Sequence, residues 1–396
     1  MAKGNRTSSR AGKPSGARRR FLSRAAAVGG TATLATLAGC GLGGDSSAGK
    51  KAGGGGGMPQ VTLRFQAGFS ANDPFFDRAR EYIRIVSELT GGNLKIDMSA
   101  AGSVVGAFDQ ADAVHKGILD GSLAVPAFWY GKNTALSLFG TGPAFGQDAN
   151  TLLAWVEYGG GKELYDELYR DILKLDVVGF LFGPMICQPL GWFRQEVKSA
   201  KAFQGLKYRT VGLSIDVFKN MGASVVAMPG GEVVPAIERG VIDAAEFNNA
   251  ASDLAMGFPD VSKTCMVQSY HQPGECFEIL ISRKAWDGLP EIYRNVLRIA
   301  TKAASTEMHW KTLDVYSRKY EEMRDKRGVK FTETPADVLQ AQLDAWDKVI
   351  AEKSAENPFF GKVLDSQKAF MKRVIGYRMK FEVDPDLAYR HFFGKA

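Results

Sequence analysis

Three polar side chains stand in surroundings that do not suit them. Gln188 lies in the apolar run Met185-Ile-Cys-Gln-Pro-Leu-Gly-Trp-Phe193. Arg209 ends Leu206-Lys-Tyr-Arg209, ahead of Thr210-Val211-Gly212, and Glu246 ends Asp243-Ala-Ala-Glu246, ahead of Phe247-Asn248-Asn249. The last two segments read as strands, and in open α/β sheets ligands collect beyond the carboxyl ends of strands. Each residue also has a plainer reading, Arg209 as a surface ion-pair partner and Glu246 as a helix-capping acid. The familiar catalytic patterns are missing from the sequence: there is no G-x-S-x-G elbow, no G-x-x-x-x-G-K-[ST] loop and no H-E-x-x-H helix. His115, His271, His309 and His391 lie far apart, and no paired general acid and base accompanies Glu246. These residues point to binding rather than to covalent chemistry.

The elements that must hold them alternate. Val61–Gln66 reads as a strand, and Asp73-Pro74 as an N-cap with proline at N1, opening a helix that stops at Gly91-Gly92. Leu94–Met98 is strand-like, Phe108–His115 helical and Leu123–Phe128 strand-like. The rhythm resumes with strand Leu206–Thr210, helix Ser214–Met221, strand Ser224–Met228, helix Glu232–Arg239 and strand Asp243–Phe247. This βαβ order predicts α/β architecture with a mainly parallel sheet, in a body long enough for two lobes. Leu289–Arg327 has no internal Pro or Gly and reads as one helix of about forty residues, spanning roughly 60 Å. A helix that long must cross between lobes, protrude or form a dimer surface. Val338–Ala355 and Lys362–Met379 follow as further helices.

The first 39 residues read differently. Arg18-Arg-Arg-Phe-Leu22, a short apolar run over Ala25–Leu37 and the tetrad Leu37-Ala-Gly-Cys40 have the parts of a twin-arginine export signal ending in a lipobox, with Cys40 lipidated. Residues 40–58 are mostly Gly, Ala, Ser and Lys, the composition of a flexible tether. The chain carries 50 basic and 43 acidic residues, formally +7. Eight of the basic residues and none of the acidic ones fall in residues 1–39, which leaves 42 against 43 and a net charge of −1. The basicity belongs to the export segment, so a nucleic-acid partner is not expected. Cys187, Cys265 and Cys276 are odd in number, and a Cys265–Cys276 bridge and buried free thiols both fit.

Three long blocks resemble a known family: Gly191–Ser199, Phe203–Arg209 and Met228-Pro-Gly-Gly-Glu-Val-Val-Pro-Ala-Ile-Glu-Arg-Gly-Val-Ile-Asp-Ala-Ala-Glu246. Tyr158–Tyr165, His271-Gln-Pro-Gly274 and Ala285–Pro290 agree with them in order and spacing. From about Val61 onward the chain resembles the solute-binding proteins of tripartite ATP-independent periplasmic (TRAP) transporters, within them the 2-oxo-acid-binding branch. The resemblance implies a two-lobed, periplasmic-binding-protein-like α/β fold with a long helix bridging both lobes. Lobe I would take residues 59–186 and about 275–315, and lobe II residues 187–274 and about 316–396 with the C-terminal helices.

It also implies a function: capture of a small organic acid, a 2-oxo or 2-hydroxy monocarboxylate, for delivery to TRAP membrane permease subunits. Arg209 matches the carboxylate-binding arginine, whose guanidinium offers parallel N–H donors that lysine lacks. Gln188, Glu246 and Phe247 match the positions holding a bridging cation, and such oxygen donors suit Na⁺ or Ca²⁺. Where the branch often has Trp after the glutamate this chain has Phe247, which shrinks the wall and removes an N–H donor. Gln272 and the run Phe128, Trp129, Tyr130 fall where the family lines its pocket. The expected location is the periplasm, held to the membrane by the lipid anchor, with a second copy of the chain as a partner through the C-terminal helices. An enzyme on the same scaffold and a sensor module are the alternatives.

Overall fold

The computed structural model describes residues 58–394. The expected export segment, Cys40 and all but the last residue of the tether lie outside the described residues. The strands are β1 (Val61–Ala67), β2 (Leu94–Ser99), β3 (Gly121–Ala124), β4 (Val177–Met185), β5 (Gly191–Phe193), β6 (Lys207–Arg209), β7 (Ser224–Val226), β8 (Ala244–Ala245), β9 (Thr264–Val267), β10 (Glu275–Ser282) and β11 (Lys330–Glu333). They form two sheets, ordered β2-β1-β3-β10-β4 and β11-β9-β5-β8-β6-β7, and each sheet is the floor of one lobe.

The helices are α1 (Pro74–Leu89), α2 (Gln110–His115), α3 (Ala149–Tyr158), α4 (Gly161–Glu167), α5 (Ser214–Asn220), α6 (Gly230–Glu238), α7 (Ala250–Met256), α8 (Phe258–Val261) and α9 (Arg283–Gly288). They are followed by α10 (Glu291–Lys326), α11 (Ala336–Glu356), α12 (Pro358–Phe381) and α13 (Pro385–Phe393). Local chemistry sets the first of them: the Asp73 carboxylate accepts the Phe75 N–H, Pro74 fills the first turn, and Gly91 and Gly92 end the run with positive φ. The buried face of α1, with Phe76, Ala79, Tyr82 and Val86, packs on the first sheet and on α10.

Two sequence expectations need correction. The sheets are mixed rather than mainly parallel, because β10 runs antiparallel to β3 and β4, and β5 antiparallel to β8 and β9. These strands flank the two passages between lobes, residues 186–190 and 268–274. The strand expected over Leu123–Phe128 ends at Ala124, since Pro126 starts a 3₁₀ turn through Trp129. Cys265 and Cys276 are buried free thiols, so the bridge left open by the sequence is not formed.

The long helix spans 36 residues, about 54 Å at the usual rise. It packs on α1 and β4 of the first lobe and on α7 of the second. Gly183 makes that seat: it adopts φ +63° in β4, a Cβ there would stand 2.8 Å from Met308 of α10, and its N–H donates to Ser305 Oγ at 2.8 Å. The C-terminal helices divide between the lobes. α11 lies on α5, whereas α12 turns back onto α3 and α4, with Gln367 donating to the Leu138 carbonyl at 2.6 Å. The C-terminal helices thus pack against both lobes. Among the described residues no helix is long and apolar enough to cross a membrane.

Candidate functional site

A partly open cavity lies between the lobes. Phe69, Phe75, Val125 and Phe128 line it from the first lobe, and Gln188, Arg209, Glu246 and Phe247 from the second, with Glu275 at the start of β10. The register brings the polar side together. β6 and β8 are parallel neighbours with Arg209 level with Ala245, so Arg209 and Glu246 emerge side by side at strand carboxyl ends. Gly191 brings β5 and the preceding Gln188 segment against them, since a Cβ at Gly191 would lie 2.3 Å from the Ala245 carbonyl oxygen.

Arg209 is an ion-pair partner, but a buried one rather than a surface one, and Glu246 does not cap a helix. Arg209 and Glu246 form a buried ion pair, Nη1 donating to Oε1 at 2.7 Å, and Nη1 also reaches the Glu246 carbonyl at 3.4 Å. Nε and Nη2 donate to the Met228 carbonyl at 3.1 and 2.8 Å. The cap of the following helix is Asn249, whose side chain accepts from the Ala251 and Ser252 N–H groups.

The pair is incomplete on one side. Glu246 Oε2 and Gln188 Oε1 are buried oxygens with no hydrogen-bond partner, and such groups call for an explanation in a folded protein. Burial pushes the Glu246 carboxyl up, and the Arg209 guanidinium opposes that push. Among the described residues no cluster of three or more His, Cys, Asp or Glu side chains is arranged to hold a metal. An amide oxygen, a carboxylate oxygen and a backbone carbonyl are instead the hard donor set that an alkali or alkaline-earth cation accepts, and the orphaned oxygens of Gln188 and Glu246 fit it.

The remaining sequence-derived residues scatter. Phe128 lines the cavity. Trp129 is buried in the first-lobe core, where its indole N–H donates to Glu278 at 2.6 Å. Tyr130 points the other way and donates its hydroxyl to Asp216 on α5 of the second lobe. Gln272 sits behind the lining, its Nε2 donating to Glu275 Oε2 at 2.6 Å. The sequence reading missed Glu275 itself. Its Oε1 has no partner, and burial, with the Glu246 charge adding, pushes its carboxyl up to about 8. The signal was present, since Glu275 follows the quoted His271–Gly274 block directly, at the end of an interlobe passage.

Comparison with known proteins agrees with this architecture. The family described as "Bacterial extracellular solute-binding protein, family 7" (DctP) matches residues 65–357. A monocarboxylate 2-oxoacid-binding periplasmic protein of Nostoc sp. is 29% identical over 339 residues, covering 85% of this chain and 90% of that protein. A TRAP transporter solute-binding protein from Bordetella bronchiseptica, crystallised with copurified calcium and picolinate, superposes with a TM-score of 0.79 at 28% identity, covering 84% of this chain and 98% of that one. Another from Pseudoalteromonas atlantica, with bound sodium and pyruvate, gives 0.77 at 28% identity, covering 84% and 99%. The chain belongs to family 7 of the bacterial extracellular solute-binding proteins, the DctP family.

Proposed function

We propose that this protein captures a 2-oxo or 2-hydroxy monocarboxylate outside the cytoplasm and hands it to the membrane permease of a TRAP transporter. The observation that carries the reading is the pair of orphaned buried oxygens, Gln188 Oε1 and Glu246 Oε2, beside the Arg209 guanidinium in the interlobe cavity. Gln188, Glu246 and the Phe247 carbonyl would hold Na⁺ or Ca²⁺. Such a cation supplies a positive centre that an acid's carboxylate and its neighbouring oxygen can chelate together. Arg209 orients the acid through charge-assisted hydrogen bonds. Glu246 Oε1 sits on the same guanidinium, so one carboxylate can replace the other there without leaving Arg209 unpaired. The lining from both lobes excludes water and makes loading depend on their relative position. The relatives that support this reading are receptors rather than enzymes.

The test is calorimetry on chelator-treated protein with pyruvate, lactate and longer 2-oxo acids. Little heat should appear until Na⁺ or Ca²⁺ is restored, and full affinity without added cation would overturn the cation's role. The arginine run and Leu37–Cys40 support twin-arginine export and lipid anchoring; Cys40→Ser should move the protein from the membrane to the soluble fraction. The exposed Leu387, Phe392 and Phe393 on α13, a helix with no buried residue, support a second copy as a partner. Sedimentation before and after truncation of α13 checks this.

A further inference from the structure

The cavity's two sides ask for different parts of one ligand. The second lobe offers amide, guanidinium and carboxylate, whereas the first offers mainly phenyl rings, with Ser70, Asp73 and Glu275 as its polar members. Phe69 meets Phe75 edge-on at 5.1 Å and leans on Phe128 at 6.0 Å between ring centroids. Phe277 backs both Phe69 and Phe75, at 5.7 and 5.0 Å. The absence of a side chain at Gly68 admits the Phe128 ring, since a Cβ there would stand 3.0 Å from it. Phe69 and Phe75 are therefore wedged in place, and Phe128, half-buried, presents its ring to the cavity. Phe247 closes the same space from the second lobe, with Gly230 leaving room for its ring.

Of these rings Phe128 is the one with substantial open surface, and a side chain of a single methyl would leave part of it uncovered. Rigid apolar walls of this kind favour a tail that fills them, and each added methylene in such a pocket changes affinity by about tenfold or more. We infer that the acid bound here carries a bulky apolar side chain, branched or aromatic, seated against Phe69, Phe75 and Phe128. The inference rests on the proposed capture of a 2-oxo or 2-hydroxy acid and names the tail of that acid.

Calorimetry on the protein, in Ca²⁺ and separately in Na⁺, compares pyruvate, 4-methyl-2-oxopentanoate and phenylpyruvate. At least one of the larger acids should bind about tenfold or more tightly than pyruvate. Phe128→Ala should lose about tenfold for that acid and less than about threefold for pyruvate. Phe128→Leu, which keeps an apolar filler of similar bulk, should spare the branched acid and weaken the aromatic one. Pyruvate binding tightest, or Phe128→Ala weakening every acid equally, would overturn the tail assignment and leave acid capture standing. Heat from none of the three in either cation would overturn acid capture, and this inference with it.

Discussion

Glu246 and Glu278 are both fully buried carboxylates, one from each lobe, and the protein treats them in opposite ways. Glu278, on β10, accepts from Trp129 Nε1 at 2.6 Å, Tyr165 Oη at 2.5 Å and Tyr169 Oη at 2.7 Å. Burial pushes its carboxyl up, and these donors pull it back. Glu246 has one oxygen on Arg209 and the other on nothing. Satisfied buried networks fix a core, whereas an open oxygen facing a cavity remains available to something that enters. Burial alone cannot separate structure from function here; the partner of the second oxygen does.

The largest break in that comparison is at Arg209. Arg209→Lys keeps a positive charge near Glu246 but loses the planar fork. Truncating a buried hydrogen-bonded charge pair typically costs about 2–5 kcal/mol, so acid affinity should fall about 100-fold while the thermal transition stays cooperative. Unchanged affinity in calorimetry would make Arg209 a structural partner of Glu246 only.

Next comes the pair of glutamines. Glu246→Gln should weaken cation and acid together, by about tenfold or more, because each completes the other's site. Glu278→Gln should leave both affinities within about threefold. It should cost about 2 kcal/mol in urea unfolding, since an amide N–H₂ would face groups that already donate. Equal losses of affinity in the two variants would erase the distinction between the carboxylates.

Much of the polar side was readable from sequence because strand ends and glycines mark it: Arg209 and Glu246 each follow a short βα rhythm, and Asp73-Pro74 announces α1. The crossing strands were not. Every residue of β10 is buried, and β4 is nearly so, which leaves no alternation to read. Glu278 was hidden by that same lack of pattern. The run Phe128-Trp129-Tyr130 looked like one aromatic cluster. On a 3₁₀ turn, with about three residues per turn, consecutive side chains point in three directions. One ring therefore faces the cavity, one the Glu278 network and one the opposite lobe.

Glu275 stands between the two extremes, with one oxygen on Gln272 and the other unpartnered. Its carboxyl is pushed up to about 8, so the folded chain keeps a proton that the unfolded chain releases near its ordinary 4.5. Its contribution is present at low pH and is lost as pH rises from 4.5 through 8, at about 1.4 kcal/mol per pH unit at most. Asp253, pushed up to about 7, adds to the decline below pH 7, and His271, pushed down to about 3, opposes it only below 6.5. Between pH 7 and 8 the melting temperature of chelated protein should therefore fall, and Glu275→Gln should flatten that fall. A parallel decline in the variant would place the effect elsewhere.

The smallest expected effect tests whether the two sides act as one site. Besides Asn248 Nδ2 on Met185 Sδ at 3.4 Å, two oxygen-accepted hydrogen bonds join the lobes beside the cavity: Tyr130 donates to Asp216, which Lys353 Nζ also approaches at 3.6 Å, and Ser252 Oγ donates to Asp73 Oδ1 at 3.2 Å. Neither group is among those proposed to touch the acid or the cation. A single such bond contributes about 1 kcal/mol net, so Tyr130→Phe and Ser252→Ala should each weaken acid binding by about three- to tenfold. The loss should appear in the dissociation rate, because the bonds form only once the lobes have met. Labels near Glu81 on α1 and Lys219 on α5 should still move together on saturation, with a longer mean separation in either variant. If dissociation and distance both match the unsubstituted protein, these bonds are passive, and the relative position of the lobes is set by the passages at residues 186–190 and 268–274 and by the helices α10, α11 and α12 that together pack on both lobes.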